Sequence, residues 1–451
     1  MSGSDVVICG AGIAGVAAAD ALAARGASVL LVDERAPLSL TSDKSTECYR
    51  NWWPGPGNAM VALMNRSIDL IEALADATGN AFLLNRRGYL YVTAAPERVA
   101  LLRQAGEEAA ALGAGPLRVH SSSASYAPHP AHGYHNQPDG ADLILDHATI
   151  RHYFPYLAED TVAVLHARRC GWLSAQQLGM ALLERGRSRG VRLARARVTA
   201  VEATGGHVTA VTLDDGAQRV ATGAFVNAAG PFLRLVGQMA RIDLPVFSER
   251  HRKVAFEDYL GAIPRDAPMI ICADPQTLAW SADEREMLAE DDELRHLLGT
   301  LPAGVHCRPE GGTGSTWVLG LWAYDAAPVA ETFPLPPAPH FPDVVLRGLA
   351  RMIPPLSAYT ERPPRPVLDG GYYTRTRENR PLIGPAGPRG SFVIGALSGY
   401  GIMAACGAAE LLAAHIAGDA LPPYAPACHP ARYADAAYRA LLDDWPDTGQ
   451  L

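Results

Sequence analysis

Residues 6–33 read VVICGAGIAGVAAADALAARGASVLLVD, and this stretch decides the fold. Val6-Val7-Ile8-Cys9 is the short apolar run that a buried parallel strand needs. Gly10, Gly12 and Gly15 follow at G-x-G-x-x-G spacing, and Val16 to Ala24 is almost pure helix former, stopped by Arg25-Gly26. Val29 to Val32 is a second buried strand, ending on Asp33. Strand, glycine turn, helix and strand in this order form a dinucleotide-binding βαβ unit. Gly10 serves the tight turn, Gly12 the close approach of a pyrophosphate, and Gly15 the packing of helix on strand. Ile13 and Ala14 open the helix, whose N-terminus offers N–H groups and partial positive charge to that pyrophosphate. Asp33, 18 residues beyond Gly15, is placed to accept from both ribose hydroxyls and would repel a 2′-phosphate, which disfavours NADP.

The chain has 451 residues, too many for one core, so two or more domains are expected. Net charge is −8 with no Lys/Arg cluster, which argues against nucleic acid as a partner. The seven cysteines are scattered, odd in number and without a C-x-x-C pair. They read as reduced cytosolic thiols, neither a disulfide framework nor a zinc site, and no metal is expected. A first strand at residue 6 leaves no room for a signal peptide, so a cytoplasmic location is expected. Only residues 391–418 approach membrane-span length, and the glycines, Glu410 and His415 within them indicate a buried strand, a turn and a core helix.

Beyond Asp33, Thr41-Ser42-Asp43-Lys44-Ser45-Thr46 forms a polar loop leading to Arg50 and the adjacent Trp52-Trp53. Those tryptophans line a flat-ring pocket or plug a domain junction. Residues 58–78 form an amphipathic helix, 88–92 a strand and 96–112 a further helix. His129, His132 and His135, interleaved with prolines and a glycine, read as a solvated loop. Residues 191–200, 207–214 and 218–221 form a small meander, followed by a separate buried strand into Ala228-Ala229-Gly230-Pro231. Small residues at such a strand end let backbone approach a ligand. Ser281 and Glu284 fit a capping box on an acidic helix, and residues 315–324 (STWVLGLWAY) form a strand with Trp317 and Trp322. Near the C-terminus, residues 392–403 (FVIGALSGYGIM) read as a strand and a glycine turn, and 404–417 as a helix whose N-terminus favours negative charge at the edge of a ring cofactor.

Three pieces in this order, GAGIAG, VNAAGP and RPLIGP with ALSGYGIMAA, resemble the FAD-dependent D-amino acid oxidase, glycine oxidase and sarcosine oxidase superfamily. The resemblance implies an α/β fold in which a glutathione-reductase-like FAD domain is interrupted by a substrate domain with a large mixed sheet. It puts FAD on residues 1–88, 150–245 and 362–424, substrate on 89–149 and 246–361, and a tail at 425–451. Cofactor contacts are expected from Gly10, Gly12, Ile13, Ala14, Gly15, Asp33, Glu34, Arg35, Thr41, Ser42, Lys44, Ser45, Thr46, Ala229, Gly230 and Gly371. The turn adds Gly399, Tyr400, Gly401, Ile402 and Met403. Substrate-side candidates are Arg50, Arg375 and Tyr400, with Lys44 a replacement for the family's oxygen-activating lysine.

Three departures qualify that reading. Gly371 stands where related sarcosine oxidases carry the cysteine that links flavin, so FAD is expected to be non-covalent. No lysine occurs in residues 315–324, where the resemblance places the oxygen-activating one. Met403 follows the S-G-x-G turn where a carboxylate-holding lysine belongs. The leading expectation is hydride transfer from a carbon beside an amine nitrogen to flavin N5, giving an imine, on a small-molecule substrate. Oxygen or another acceptor, and the oligomeric state, stay open. A flavin dehydrogenase acting on a 2-hydroxy acid and a non-catalytic flavin-binding assembly factor are the alternatives. A flavin monooxygenase or halogenase lacks its G-D motif here, because the last FAD strand reads Arg380-Pro381-Leu382-Ile383-Gly384.

Overall fold

The computed structural model describes residues 3–312 and 314–445. Two sheets organise it. In the first, Ser4–Cys9 lies between two parallel neighbours, Val29–Asp33 and Gln218–Asn227. Arg192–Arg195 extends this sheet beside Val29–Asp33, and Ser391–Gly395 joins it parallel to Gln218–Asn227. Apolar runs without alternation suit strands covered on both faces. The helix Ile13–Ala23 packs on one face of this sheet and against the helix Gly401–Ala417, which in turn packs on Ala59–Ala77.

That last contact depends on small residues. A Cβ at Gly407 would lie 3.0 Å from Ser67 Cβ, and the Gly407 amide donates to Ser67 Oγ at 3.0 Å. Residues 398–417 form one helical segment long and apolar enough to cross a membrane, but its apolar window is 67% buried within the fold. It serves as a core helix, as its Gly and Glu content indicates.

The meander differs from its sequence reading. Gln218 does not end a short strand at Ala221: the strand runs on unbroken to Asn227. Its first half pairs antiparallel with His207–Leu213 and its second half parallel with Ser4–Cys9. One strand therefore carries the chain from the exposed meander to the ligand edge of the sheet.

The second sheet has ten strands and is mixed. Its order runs from Pro328–Val329 through Phe247–Glu257, Trp317–Leu321, His306–Pro309, Met269–Cys272, Tyr89–Thr93, Ala163–Ala167 and Ala141–Ile144 to Leu117–His120. Val367–Arg375 pairs antiparallel with Phe247–Glu257 over nine residues. Two strands of this sheet, Ala163–Ala167 and Val367–Arg375, lie inside segments that the resemblance placed on the FAD side. Residues 425–445 are fastened to the fold by Arg432, which donates to the fully buried Glu378 at 2.8 and 3.0 Å. The rest of the expected tail, 446–451, lies outside the described residues.

Candidate active site

Two adjoining cavities lie where the sheets meet. The first, about 890 Å³ of empty space counted with its open mouth, runs along the carboxyl ends of the first sheet's parallel strands. Its lining begins at Gly10, Gly12, Ile13, Ala14 and Asp33, passes Ala228 to Pro231, and ends at residues 394–399 with Gly401 and Ile402. Thr41, Ser42 and Ser45 close it from the polar loop, and Tyr372 to Thr374 from the second sheet.

The glycines perform distinct tasks. Gly10 has φ 107°, and a Cβ there would sit 2.4 Å from the Ala228 carbonyl oxygen. A Cβ at Gly15 would fall 1.8 Å from the Gly10 carbonyl oxygen, so only glycine lets this helix lie on its strand. Gly12 is different. Its Cβ would meet nothing nearer than Ser42 Oγ at 3.3 Å and would project into the cavity. The space beside Gly12 is therefore a cradle that a side chain would fill.

Asp33 faces the cavity while accepting from the Ala11 amide at 2.7 Å and the Arg35 amide at 2.9 Å, which fixes both loops. Ser42 Oγ accepts from the Ile13 amide at 2.9 Å and ties the polar loop to the helix start. At the far end, Ala396 (φ 54°) and Ser398 (φ 45°) turn the chain sharply into the Gly401–Ala417 helix. A Cβ at Gly399 would strike the Tyr373 ring at 2.5 Å.

The second cavity, about 570 Å³, shares Ser45, Tyr373 and Gly399 with the first. Its other lining residues come from Thr46 to Trp53, Tyr89, the sheet face and the turn, the last giving Tyr400 and Met403. Arg50 is buried; its guanidinium lies 4.9 Å from the Trp53 ring centroid and donates to Tyr91 Oη at 3.3 Å. Trp53 meets Tyr400 edge to face at 4.9 Å. The first of the two readings of Trp53, a pocket wall, is thus the one its position matches.

Three neighbouring strands set a row across the sheet: His306 stands opposite Leu321, and Leu321 opposite Lys253. Directly paired residues share a face. His306 and Leu321 line the cavity, as does His251, one alternation along the strand from Lys253. His251 stacks on Tyr373 with centroids 4.1 Å apart, and its Nε2 lies 3.3 Å from Glu249 Oε2. Burial would raise the Glu249 carboxyl, but His251 and Arg375 outweigh it and hold the group below the usual glutamate range. His306 is pushed down to about 4 by burial, opposed by its bond to Gly304 and reinforced by the nearby charges of Arg50, His251 and Arg308. Among the described residues, no aspartate or glutamate lines this second cavity.

Several sequence candidates fall elsewhere. Arg375 lines neither cavity: it lies on the same sheet face as His251 but further along the strand, where its guanidinium meets Glu249 Oε1 at 3.3 Å. Lys44 also lines neither; it bridges Asp369 at 3.0 Å and Asp43 at 3.2 Å. Gly371 packs against the Lys44 side chain, while Glu34 and Arg35 pair with one another outside the lining. Thr46, Tyr400 and Met403 line the second cavity instead of the first. The Tyr400 hydroxyl faces the Asn379 and Ala396 carbonyls at 3.1 and 3.2 Å, so only its ring is presented to the site. Trp322 belongs to the opposite face, where Nε1 donates to the Pro302 carbonyl, and Trp317 lies outside the lining.

His251, His306 and Leu321 escaped the sequence reading. A period-two alternation assigns His251 to a face but gives no sign of which face meets the cofactor side. Lys253, which burial pushes down in pKa, donates to the Asp43 carbonyl and clamps the polar loop from the same row.

A glycine-cradled cavity at the carboxyl ends of parallel strands, with an acid at the second strand's end, defines a dinucleotide-binding protein. The family model described as FAD dependent oxidoreductase matches residues 5–415, and the chain belongs to that family, an enzyme class that uses FAD. No curated protein matches the sequence. The structure is similar to L-proline dehydrogenase from P.horikoshii, at 20% identity over 96% of this chain and 98% of that chain, with a TM-score of 0.73. It is similar to glycine oxidase from Geobacillus kaustophilus, at 16% identity over 93% and 96%, with a TM-score of 0.70. For iminodiacetate oxidase from Chelativorans sp. BNC1 the values are 15%, 92% and 96%, with a TM-score of 0.68. At these identities the likeness establishes the fold.

Proposed function

We propose that this flavoenzyme oxidises the C–N bond of an amine or amino-acid-like substrate to an imine, with FAD held non-covalently. The observation that carries the reading is the junction of the cavities at Ser45, Tyr373 and Gly399, which opens the glycine-lined site onto a small chamber walled by Arg50, Trp53 and two histidines. FAD, when bound, supplies the hydride acceptor at N5.

The chain's own residues bind and orient. The Arg50 guanidinium offers paired donors to a carboxylate, and the Trp53 face limits its swing. Leu321, Ala323 and Met403 exclude water from one wall and hold the reacting carbon against the shared edge. Residues 399–402 turn a helix N-terminus toward the place where negative charge develops. The absence of a carboxylate from the chamber's lining favours the amine in its neutral form, which is the form that gives up hydride. None of the seven cysteines lines the first cavity, in keeping with a flavin free of any thioether.

The test is anaerobic. Flavin-loaded protein is mixed under argon with a panel of amines and amino acids, free and N-alkylated, and the oxidised flavin band is followed. Bleaching by at least one N-containing member is expected. A band that no amine bleaches, although dithionite does, would sink the proposal. Acid precipitation is expected to leave the yellow colour in the supernatant.

A further inference from the structure

Three parts of the chain meet at the Asp33 end of the first cavity, and one of them belongs to the second sheet. Ser4–Cys9 lies between Val29–Asp33 and Gln218–Asn227, so the segments that follow those two neighbours approach the Gly10 turn from opposite sides. Arg35 follows the first and Phe232 the second, and the Arg35 guanidinium lies 5.4 Å from the Phe232 ring centroid. Their contact crosses the end of Ser4–Cys9 beside the lining residues Asp33, Ala36 and Pro231. Phe333 covers it from outside, 5.6 Å from the Phe232 ring and 5.9 Å from the guanidinium.

Phe333 sits on a strap slung between two anchors on the second sheet. Before it, Pro328–Val329 pairs with Ser248 and Glu249; after it, the Pro336 carbonyl accepts from Arg252 at 3.2 Å. Residues 330–334 between them are all exposed. Tyr372 pins the strap at its middle. Its hydroxyl accepts from the Thr332 amide and donates to the Thr332 carbonyl, both at 2.8 Å, and its ring meets Phe333 edge to face at 5.3 Å. Tyr372 itself lines the cavity, and its carbonyl accepts from Thr41 of the polar loop. Ring and cation contacts at a surface are small increments, so this strap can lift while both sheets stay folded.

We propose that Arg35, Phe232 and Phe333 form a clasp over the Asp33 end of the FAD site, and that the cofactor passes in and out only when the 330–334 strap lifts. The inference rests on FAD occupying the first cavity and on nothing about the substrate. The second sheet then sets how fast the first site exchanges its cofactor, while the glycine cradle sets how tightly it binds. A barrier of this kind slows entry and departure by the same factor and leaves Kd alone.

The test needs no turnover. Protein loaded with radiolabelled FAD is chased with excess unlabelled FAD to give the dissociation rate, and equilibrium dialysis gives Kd. Phe333→Ala is expected to speed dissociation about tenfold, the size of effect that losing two ring contacts allows, with Kd within about twofold. Phe333→Leu, which keeps apolar bulk, should fall between Phe333→Ala and wild type. An unchanged dissociation rate in Phe333→Ala, label that leaves neither protein, or a rate that rises only in proportion to Kd would each overturn the clasp; the last is the mark of a contact, not a gate.

Should the variants fail to fold, the wild type still decides. Hydrogen exchange at the Thr332 amide, under conditions where it reports the opening rate, is expected to show the strap lifting at least as fast as labelled FAD departs. Label leaving faster than the strap opens would reject the gate. Because no substrate enters these measurements, their failure leaves amine oxidation standing, and an amine panel without bleaching leaves the clasp standing.

Discussion

The two cavities are built from different materials. The first is made of backbone: glycines and alanines at strand ends, with Asp33 and Ser42 holding the loops. The second is made of side chains from the polar loop, the turn and five strands of the ten-stranded sheet. A backbone site needs a particular run of small residues in one place, so it is written locally. A side-chain site needs strand register: His306 and Leu321 meet at the cavity only through the pairing of their strands. Substitutions at the first should act on whether the cofactor is held at all, and at the second on what is done beside it.

The largest expected effects contrast two glycines three residues apart. Gly15→Val drives Cβ against the Gly10 carbonyl, a backbone atom that cannot yield without moving helix from strand. Overpacking of this kind costs about 3 kcal/mol or more, and no folded flavoprotein is expected on purification. Gly12→Val sets its Cβ 3.3 Å from Ser42 Oγ, a side-chain atom that can shift by a few tenths of an ångström, at backbone angles (φ −70°, ψ −179°) that any residue adopts. It should melt near the parent temperature yet carry no flavin. A colourless Gly12→Val that is also unfolded would erase the distinction between packing glycine and cradle glycine.

Asp33→Ala comes next. The carboxylate's bonds to the Ala11 and Arg35 amides are each worth roughly 1.5–3 kcal/mol when charge-assisted. Both loops then lose their anchor along with any ribose contact, so a fall in melting temperature should accompany purification as apoprotein. Full flavin content in this variant would remove Asp33 from the cofactor site.

The legibility of the molecule follows the same division. The βαβ unit, the capping box at Ser281 and Glu284, and the core helix after the S-G-Y-G turn were readable because each is a local pattern. The unbroken run of Gln218–Asn227 was hidden because its two halves change partners, and Gly223 in its middle looks like a break. Arg375 is a substrate-side candidate in the sequence, where its strand partner is invisible. Only the pairing of its strand with Phe247–Glu257 shows that Glu249 takes it, and that His251 takes the cavity. Residues 315–324 show two tryptophans in sequence, yet alternation gives the cavity face to Leu321 and Ala323 and turns Trp322 away.

The buried Glu249 tests the second cavity's support. Glu249→Gln keeps the shape but removes the charge between Arg375 and His251. Breaking one partner of a buried pair costs about 3–5 kcal/mol, and chemical denaturation at pH 7 should show a loss toward that range, with flavin content retained. Because the folded-state carboxyl is held below its ordinary value, its stabilisation is present above about pH 4.3 and lost as pH falls through the lower folded value. The difference between wild type and Glu249→Gln should therefore shrink in acid. A difference that grows below pH 4 would mean the charge is not what the fold uses.

The smallest effect is expected at Lys44. Its ammonium lies 3.0 Å from Asp369 and 3.2 Å from Asp43, and burial, which would lower its pKa, is outweighed by these carboxylates, which raise it. The lysine is therefore charged at every working pH, but two anions within contact distance cancel its field outside the cluster. It also lines neither cavity. A cation assists oxygen only where its charge reaches the electron leaving reduced flavin, so Lys44→Met should reoxidise in stopped-flow within about twofold of wild type. Stability should fall by no more than about 1 kcal/mol, the usual range for a partly exposed pair. A tenfold slowing would show that the positive end of this cluster does face the flavin. Both variants reoxidising slowly would instead mark an enzyme that hands its electrons to an acceptor other than oxygen.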